Sequence, residues 1–244
     1  MPKFAVIIPA AGSSSRFGDK NYKKTFIQLD NKAVWLHSAE RFMDRKDVVQ
    51  TLIVIAAEDQ EYFKMKFGAT AAILGAEVVI GGKERSDSVQ NALEKVNAEA
   101  DYIAIHDAAR PCIADAWISE VFSAAEKSGA AILATQVTGT LKRSSGGKTI
   151  DETASREGLW EAQTPQVFRR DLLEKAYAER AGFNATDDAQ LMERSGHPVS
   201  IVRGSSLNLK ITRRDDLKLA SCALRKLPRA KKTGGGNPLD EMLG

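Results

Sequence analysis

Residues 4–18 read Phe-Ala-Val-Ile-Ile-Pro-Ala-Ala-Gly-Ser-Ser-Ser-Arg-Phe-Gly, and lysines follow at Lys20, Lys23 and Lys24. Residues 4–8 form a continuous apolar run without alternation, the pattern of a strand covered on both faces, as in a parallel sheet. The run leads straight into a loop of small residues that ends at Arg16. Small residues after such a strand let backbone N–H groups approach an anion closely. Cationic side chains beside them can hold a phosphate chain. The stretch points to a nucleotide, although an ordinary βα turn has the same outline. It lacks the Gly-Lys-Ser/Thr ending of a P-loop and does not fit G-x-G-x-x-G.

Outward from this stretch, strand-like apolar runs recur at residues 51–56, 77–80, 102–106, 130–135, 199–202 and 207–212. Helical stripes lie between most of them. Trp35, Ala39, Phe42 and Met43 share one helical face, as do Val89, Ala92, Leu93 and Val96. Ile118, Val121, Phe122 and Ala125 form a third stripe, and Leu217, Ala220, Leu224 and Leu227 a fourth. Strands alternating with helices predict an α/β fold with a doubly wound, mostly parallel sheet. In such sheets ligands bind beyond the carboxyl ends of the strands.

Residues 137–160 break the rhythm: two short extended pieces flank Ser144-Ser-Gly-Gly147, a hairpin signal. This arm cannot sit inside the main sheet. It either leans on a partner surface such as a second subunit, or folds back on its own domain. The main domain is expected to span 1–227, and the Gly-, Pro- and Lys-rich residues 228–244 to form a flexible tail.

The chain has 244 residues, 43% hydrophobic and 27% charged, enough for a sizeable core without metals or disulfides. Its 35 Lys and Arg against 32 Asp and Glu give a net charge of +3. That balance argues against a nucleic-acid binder with a broad basic surface. The two cysteines, Cys112 and Cys222, form no CxxC pair and read as small hydrophobes in a reducing cytoplasm. No membrane span or leader peptide is expected.

Three segments at expected strand ends carry polar chemistry. The first is Ala10, Ala11 and Gly12 with Arg16. The second is Gly81-Gly-Lys-Glu-Arg-Ser-Asp-Ser88, entering a helix. Its glycine pair permits close approach of a base or sugar, and Ser88 on the first turn can reach the same cleft. Ser86 or Asp87 can instead cap the helix. The third is His106-Asp-Ala-Ala-Arg-Pro111. Asp107 at a strand end suits Mg²⁺ beside phosphates. Arg110 either binds phosphate or pairs with Asp107 as scaffold, and His106 reads as a packing residue.

As an ordered set, Pro9-Ala-Ala-Gly12 with Arg16, Gly81-Gly82 with Arg85-Ser-Asp-Ser88, His106-Asp-Ala-Ala-Arg-Pro111, Leu159-Trp-Glu-Ala-Gln-Thr-Pro-Gln166, Thr186-Asp187 and Asn208-Leu-Lys-Ile-Thr212 resemble the 2-C-methyl-D-erythritol 4-phosphate cytidylyltransferases of the non-mevalonate isoprenoid pathway. The resemblance covers residues 3–227. It implies a Rossmann-like nucleotidyltransferase sheet with a protruding β-arm that interlocks a homodimer. It also implies cytidylyl transfer from CTP to methylerythritol 4-phosphate, with Mg²⁺. By the same resemblance Ala10, Ala11, Gly12, Gly81, Gly82, Asp87 and Ser88 match the CTP contacts. Arg16, Lys24 and Lys210 match the cations of catalysis. Asp107, Arg110, Thr140, Arg156, Thr164 and Thr186 match the substrate side, with Asp107 also the metal carboxylate and Thr140 and Arg156 supplied across the dimer.

The sequence departs from the family pattern at two places. Glycine is usual where Ser14 stands, and proline where Lys23 stands, which makes Lys23 a rival to Lys24. Related readings are a sister cytidylyltransferase for another polyol phosphate, such as ribitol 5-phosphate, or a non-catalytic nucleotide-binding domain.

A phosphate monoester is already an anion near neutral pH, since its second pKa is about 6. It needs no general base to attack the α-phosphorus of CTP. Positioning two polyanions and neutralising their charge is then the expected task.

Overall fold

A computed structural model describes residues 1–12 and 23–228. In chain order its first half comprises β1 (Phe4–Pro9), β2 (Gln28–Leu29), β3 (Lys32–Ala33), α1 (Val34–Met43), β4 (Val48–Ile55), α2 (Gln60–Ile73), β5 (Ala76–Ile80), α3 (Arg85–Leu93) and β6 (Tyr102–Ile105). There follow α4 (Asp115–Ser128), β7 (Ala130–Gln136), β8 (Leu141–Arg143), β9 (Glu152–Ala154), β10 (Trp160–Arg169), α5 (Arg170–Ala178), α6 (Asp188–Arg194), β11 (Ser200–Arg203) and α7 (Asp215–Leu224).

Seven strands form one sheet in the order β11-β7-β10-β6-β1-β4-β5. Only β10 runs antiparallel to its neighbours β6 and β7; the remaining pairings are parallel. The unbroken apolar run of β1 is explained by burial on both faces. Phe4, Val6 and Ile8 pack with Trp35 and Phe42 of α1, Phe63 and Phe67 of α2 and Phe122 of α4. Ala5 and Ile7 turn the other way, toward Val89 and Leu93 of α3, Leu173 of α5 and Met192 of α6. The result is a three-layer α/β/α sandwich. Phe4 and Phe122 stack with ring centroids 3.9 Å apart, and Trp35 and Phe42 are fully buried. A smaller cluster joins Ala220 and Ala223 of α7 to Leu29, Val34, Cys112 and Ile211.

The winding of the chain locates the ligand crevice. From β1 the chain moves to β4 and β5 on one side, then returns to β6 on the other. The switch between β1 and β6 opens a gap at the carboxyl ends of these strands. Ala10 N–H donates to Val54 O at 2.7 Å, Gly81 N–H to Ile55 O at 2.8 Å and His106 N–H to Ile7 O at 2.9 Å. These bonds carry the parallel ladders past the strand ends, so the loops after β1, β5 and β6 start from one rim.

Two differences from the sequence reading have clear causes. Residues 207–212, expected as a strand, form no ladder. They begin in a turn, closed by Asn208 N–H to Ser205 O at 3.0 Å, and are then tied by Ile211 N–H to Ala109 O at 2.8 Å, with Ile211 buried against α7. β10 was not foreseen, because Pro165 and the buried polar residues Gln163, Thr164 and Gln166 interrupt an apolar pattern. Its register shifts between Ala162 and Gln166, so these residues form a bulge in the ladder with β7. The expected hairpin is present as β8 and β9. No helix among the described residues is long and apolar enough to cross a membrane.

Candidate active site

A cleft of about 610 Å³ opens at the strand-end rim. Ala10, Ala11, Gly12, Lys24, Gly81, Gly82, Ser88, Asp107 and Lys210 all line it, although they span 200 positions of sequence. Arg16, Ser14 and Lys20 lie outside the described residues.

On the β1 side the backbone leaves Pro9 through buried Ala10 to exposed Gly12, beside which a side chain would meet open space. The glycine pair after β5 is tighter. A Cβ on Gly81 would come within 2.6 Å of Ser88 Oγ, and one on Gly82 would collide with Asp87. The pair is therefore required by the first turn of α3. Ser88 closes that turn: its hydroxyl accepts from Gly82 N–H at 3.1 Å and donates to Glu84 O at 3.0 Å.

The helix cap is Glu84 rather than Ser86 or Asp87. Asp87 stands at the third position, where its carboxylate accepts from Glu84 N–H at 3.1 Å and from Arg180 at 2.7 Å. The Arg180 hydrogen bond holds its pKa below the usual carboxylate range. Asp87 thus braces the loop from behind the cleft lining.

Asp107 follows β6 and is the focus of charge. Its Oδ2 lies 2.6 Å from Lys210 Nζ and 3.8 Å from Arg110 Nε, and its Oδ1 lies 3.7 Å from Arg85 Nε. Burial alone would raise its pKa, but Lys210, Arg85 and Arg110 together hold it well below the ordinary carboxylate range. Its backbone is fixed as well. Asp107 N–H donates to Thr164 Oγ1 at 3.0 Å, and that hydroxyl lies 3.1 Å from His106 Nδ1. His106 Nε2 lies 3.1 Å from Arg110 O. Donation from Nε2 and acceptance at Nδ1 satisfy the whole chain with a neutral ring. Burial agrees, lowering the His106 pKa to about 4. His106 is the packing residue expected, set 5.1 Å from the Phe42 ring.

Arg110 does not line the cleft. It is buried, and its guanidinium donates to Asn208 O at 2.8 Å and Ala162 O at 3.3 Å. It also faces Asp107, as in the scaffold alternative, and Thr164, given a substrate contact by resemblance, likewise does not line the cleft. Lys24 lines the cleft and Lys23 does not; Lys23 pairs with Asp59 at 2.5 Å and with the cleft residue Glu58 at 3.1 Å.

The remaining expected residues are not brought to the cleft lining. Thr140 and Arg156 sit exposed beside the β8–β9 hairpin, with Arg156 donating to Thr138 O. Thr186 is exposed just before α6 and bonds to Gln190. Sequence reasoning gave no role to Arg85, which lines the cleft, nor to the buried Asp188 and Tyr177 behind it. A cation in the first turn of a helix, against the dipole, was the one available signal for Arg85.

Among the described residues no three His, Cys, Asp or Glu side chains are grouped to hold a metal ion. Asp107 is a single carboxylate already opposed by three cations. One such carboxylate suits a divalent cation brought in on phosphate oxygens and not a cage built by the protein alone.

A doubly wound α/β domain whose switch-point cleft joins a small-residue loop, two lysines and one strand-end carboxylate has the architecture of a nucleotidyltransferase. The chain belongs to the 2-C-methyl-D-erythritol 4-phosphate cytidylyltransferase family, whose model matches residues 4–226. The enzyme of that name from Rhodopirellula baltica is 43% identical over 91% of this chain and 95% of its own length. The one from Bacillus velezensis is 38% identical over 91% and 96%. Among solved structures, the Thermus thermophilus enzyme superposes with a TM-score of 0.75 at 30% identity, covering 90% of this chain and 98% of that one. A crystal structure of 4-diphosphocytidyl-2C-methyl-D-erythritol synthase gives 0.76 at 30% identity, over 92% and 99%. The activity of the family is CTP-dependent cytidylyl transfer to 2-C-methyl-D-erythritol 4-phosphate.

Proposed function

We propose that the strand-end cleft is where this transfer takes place. The observation that carries the reading is the convergence of Lys24, Lys210, Asp107 and the Gly12 and Gly81 backbones on one cavity. CTP lies with its base and ribose against Gly81, Gly82 and Ser88, where Asp87 braces the loop. Its triphosphate runs along Ala10, Ala11 and Gly12 toward Lys24 and Arg16. The methylerythritol phosphate enters beside Asp107, Lys210 and Thr186, with Arg110 and Thr164 fixing Asp107. Its phosphate oxygen attacks the α-phosphorus in line, that P–O bond forms, and the bond to pyrophosphate breaks.

The chain's residues neutralise and align charge. Lys24 and Arg16 stabilise charge growing on the α-phosphate and leaving group, and Lys210 does so from the Asp107 side. When a divalent cation, Mg²⁺, is bound with the triphosphate beside Asp107, it supplies further charge neutralisation. No side chain has to remove a proton.

Thr140 and Arg156 complete the site in a homodimer through the 137–160 arm. Three large apolar residues left exposed along this arm, Ile150 at 63%, Leu159 at 43% and Trp160 at 40%, support a partner surface there. Residues 1–227 act as one nucleotidyltransferase unit working in the cytoplasm, without nucleic acid.

The direct test is pyrophosphate release from CTP and Mg²⁺ with a panel of polyol phosphates. Turnover confined to methylerythritol 4-phosphate is expected. Faster turnover of ribitol 5-phosphate moves the substrate assignment. CTP binding without release across the panel overturns the catalytic reading. For the dimer, Asp107→Asn and Arg156→Ala chains mixed together should show a higher kcat/KM for methylerythritol 4-phosphate than either variant alone. No such gain removes the shared site.

A further inference from the structure

Arg85 has no role in the scheme above, yet its side chain lies where two carboxylates meet. It is the first residue of α3, the end of a helix that disfavours a cation. The position is compensated on two sides. Arg85 Nη2 donates to Asp188 Oδ2 at 2.7 Å, and its Nε lies 3.7 Å from Asp107 Oδ1.

Asp188 is a firm anchor. It is fully buried at the start of α6, and its other oxygen accepts from the Tyr177 hydroxyl at 2.6 Å. Its backbone N–H donates to Gln166 Oε1 at 3.1 Å. Asp107 is held differently on its two edges: Lys210 at 2.6 Å and the buried Arg110 at 3.8 Å share Oδ2, and among the described residues only Arg85 faces Oδ1. The short contact, to Lys210, is made by a flexible lysine whose side chain is 36% exposed in the cleft. The other edge faces Arg85, whose planar fork is fixed from behind.

The consequence follows from charge. If Lys210 turns to incoming phosphates, Asp107 loses its nearest counterion just as anions arrive beside it. Arg85 is tethered in place by Asp188, which Tyr177 holds in turn.

We infer that Arg85 is a positioning residue for Asp107, anchored through Asp188 and Tyr177 so that the Asp107 carboxylate keeps its place and counterion when Lys210 engages substrate. This rests on the roles proposed above for Asp107 and Lys210.

A double-mutant cycle tests it. Arg85→Lys keeps the charge but cannot span both carboxylates. In the wild-type background it should lower kcat/KM for methylerythritol 4-phosphate about 10-fold and leave the CTP KM within about twofold. Tyr177→Phe, buried and remote from the cleft, should give a weaker loss of the same kind, about fivefold. In the Asp107→Asn background both changes should be silent. Calorimetric binding of the monophosphate, with an unreactive CTP analogue present, reads this without requiring turnover. An Arg85→Lys penalty equal in both backgrounds overturns the inference, since Arg85 then acts on substrate directly or only on folding. If Arg85→Lys does not fold, Tyr177→Phe decides the matter alone: no effect in the wild-type background, or an equal effect in both, overturns it. If Asp107→Asn by itself leaves monophosphate binding unchanged, the role of Asp107 fails instead.

Discussion

The cleft and the hairpin are built in opposite ways. At the cleft, Asp107 sits at the end of a central strand, backed by two hydrophobic layers, its N–H bonded and its carboxylate facing Lys210, Arg85 and Arg110. At the hairpin, the side-chain hydrogen bonds stay local. Lys142 donates to Thr153 at 2.6 Å, Arg143 pairs with Glu152 at 2.7 Å, and Ser145 N–H donates to Asp151 at 2.6 Å. Only Leu141 and Ala154 are even half-buried within β8 and β9. A strand end can hold a charged group in place before substrate arrives, because the sheet has already immobilised its backbone. A two-stranded hairpin has marginal stability of its own, so residues there gain precision only from a surface to lean on. Cleft substitutions should therefore damage chemistry or folding, and hairpin substitutions should act on one substrate or on nothing.

The largest effect is expected at Lys24. Lys24→Ala should lower kcat by about 10²- to 10³-fold, the range for losing one preorganised donor to developing charge. Steady-state pyrophosphate release measures it, and near-normal turnover would break the contrast at its strong end. His106 tests the scaffold beneath. Its folded pKa of about 4 lies below the ordinary histidine value of 6.5. The unfolded chain thus binds a proton that the folded one refuses. The resulting stability is complete above pH 6.5 and is lost as pH falls toward 4. The gap amounts to roughly 3 kcal/mol at 1.4 per unit. Denaturant unfolding from pH 7 to 4 should show this slope, and His106→Gln should flatten it. An unchanged slope in that variant would mean that the buried ring is not the proton-linked group.

How much of this was legible in the sequence follows the same division. β1, β4, β5, β6 and β7 were readable because each carries an apolar run. The small-residue loop, Gly81-Gly82 and Asp107 were readable because they stand directly after such runs. α2, with Phe63, Phe67 and Ala71 buried at four-residue spacing, was passed over among its polar neighbours. β10 was hidden because its interior is polar for a reason beyond folding: Thr164 supports Asp107, and Gln166 accepts from Asp188 and Ala189 at the start of α6. Residues 207–212 resembled a strand because Leu207, Leu209 and Ile211 alternate with polar residues, although the segment opens in a turn and pairs with no strand. Arg85 was quoted inside a motif and still missed. Its partners lie 22 and 103 positions away, a distance that no local spacing encodes. That Lys24 lines the cleft and Lys23 does not also needed coordinates, since adjacent lysines are equivalent on paper.

The weaker end of the contrast is Arg156. Arg156→Ala should raise the KM for methylerythritol 4-phosphate about 10-fold or more, the loss of a charge-assisted contact, while leaving the CTP KM within about twofold. If both KM values rise together, the hairpin serves the whole site rather than one substrate. The smallest effect sharpens that result. Arg143 lies on the same hairpin, also exposed, paired only with the exposed Glu152 among the ion pairs found there. Exposed pairs contribute between nothing and about 1 kcal/mol. Arg143→Ala should therefore change unfolding free energy by less than about 0.5 kcal/mol and leave both KM values and kcat unchanged. The two arginines share charge and exposure, and Arg156 follows two residues after the hairpin that carries Arg143. A loss at Arg156 with silence at Arg143 would therefore come from contact with substrate, whereas matching losses would mean that removing any cation from the hairpin disturbs how it docks.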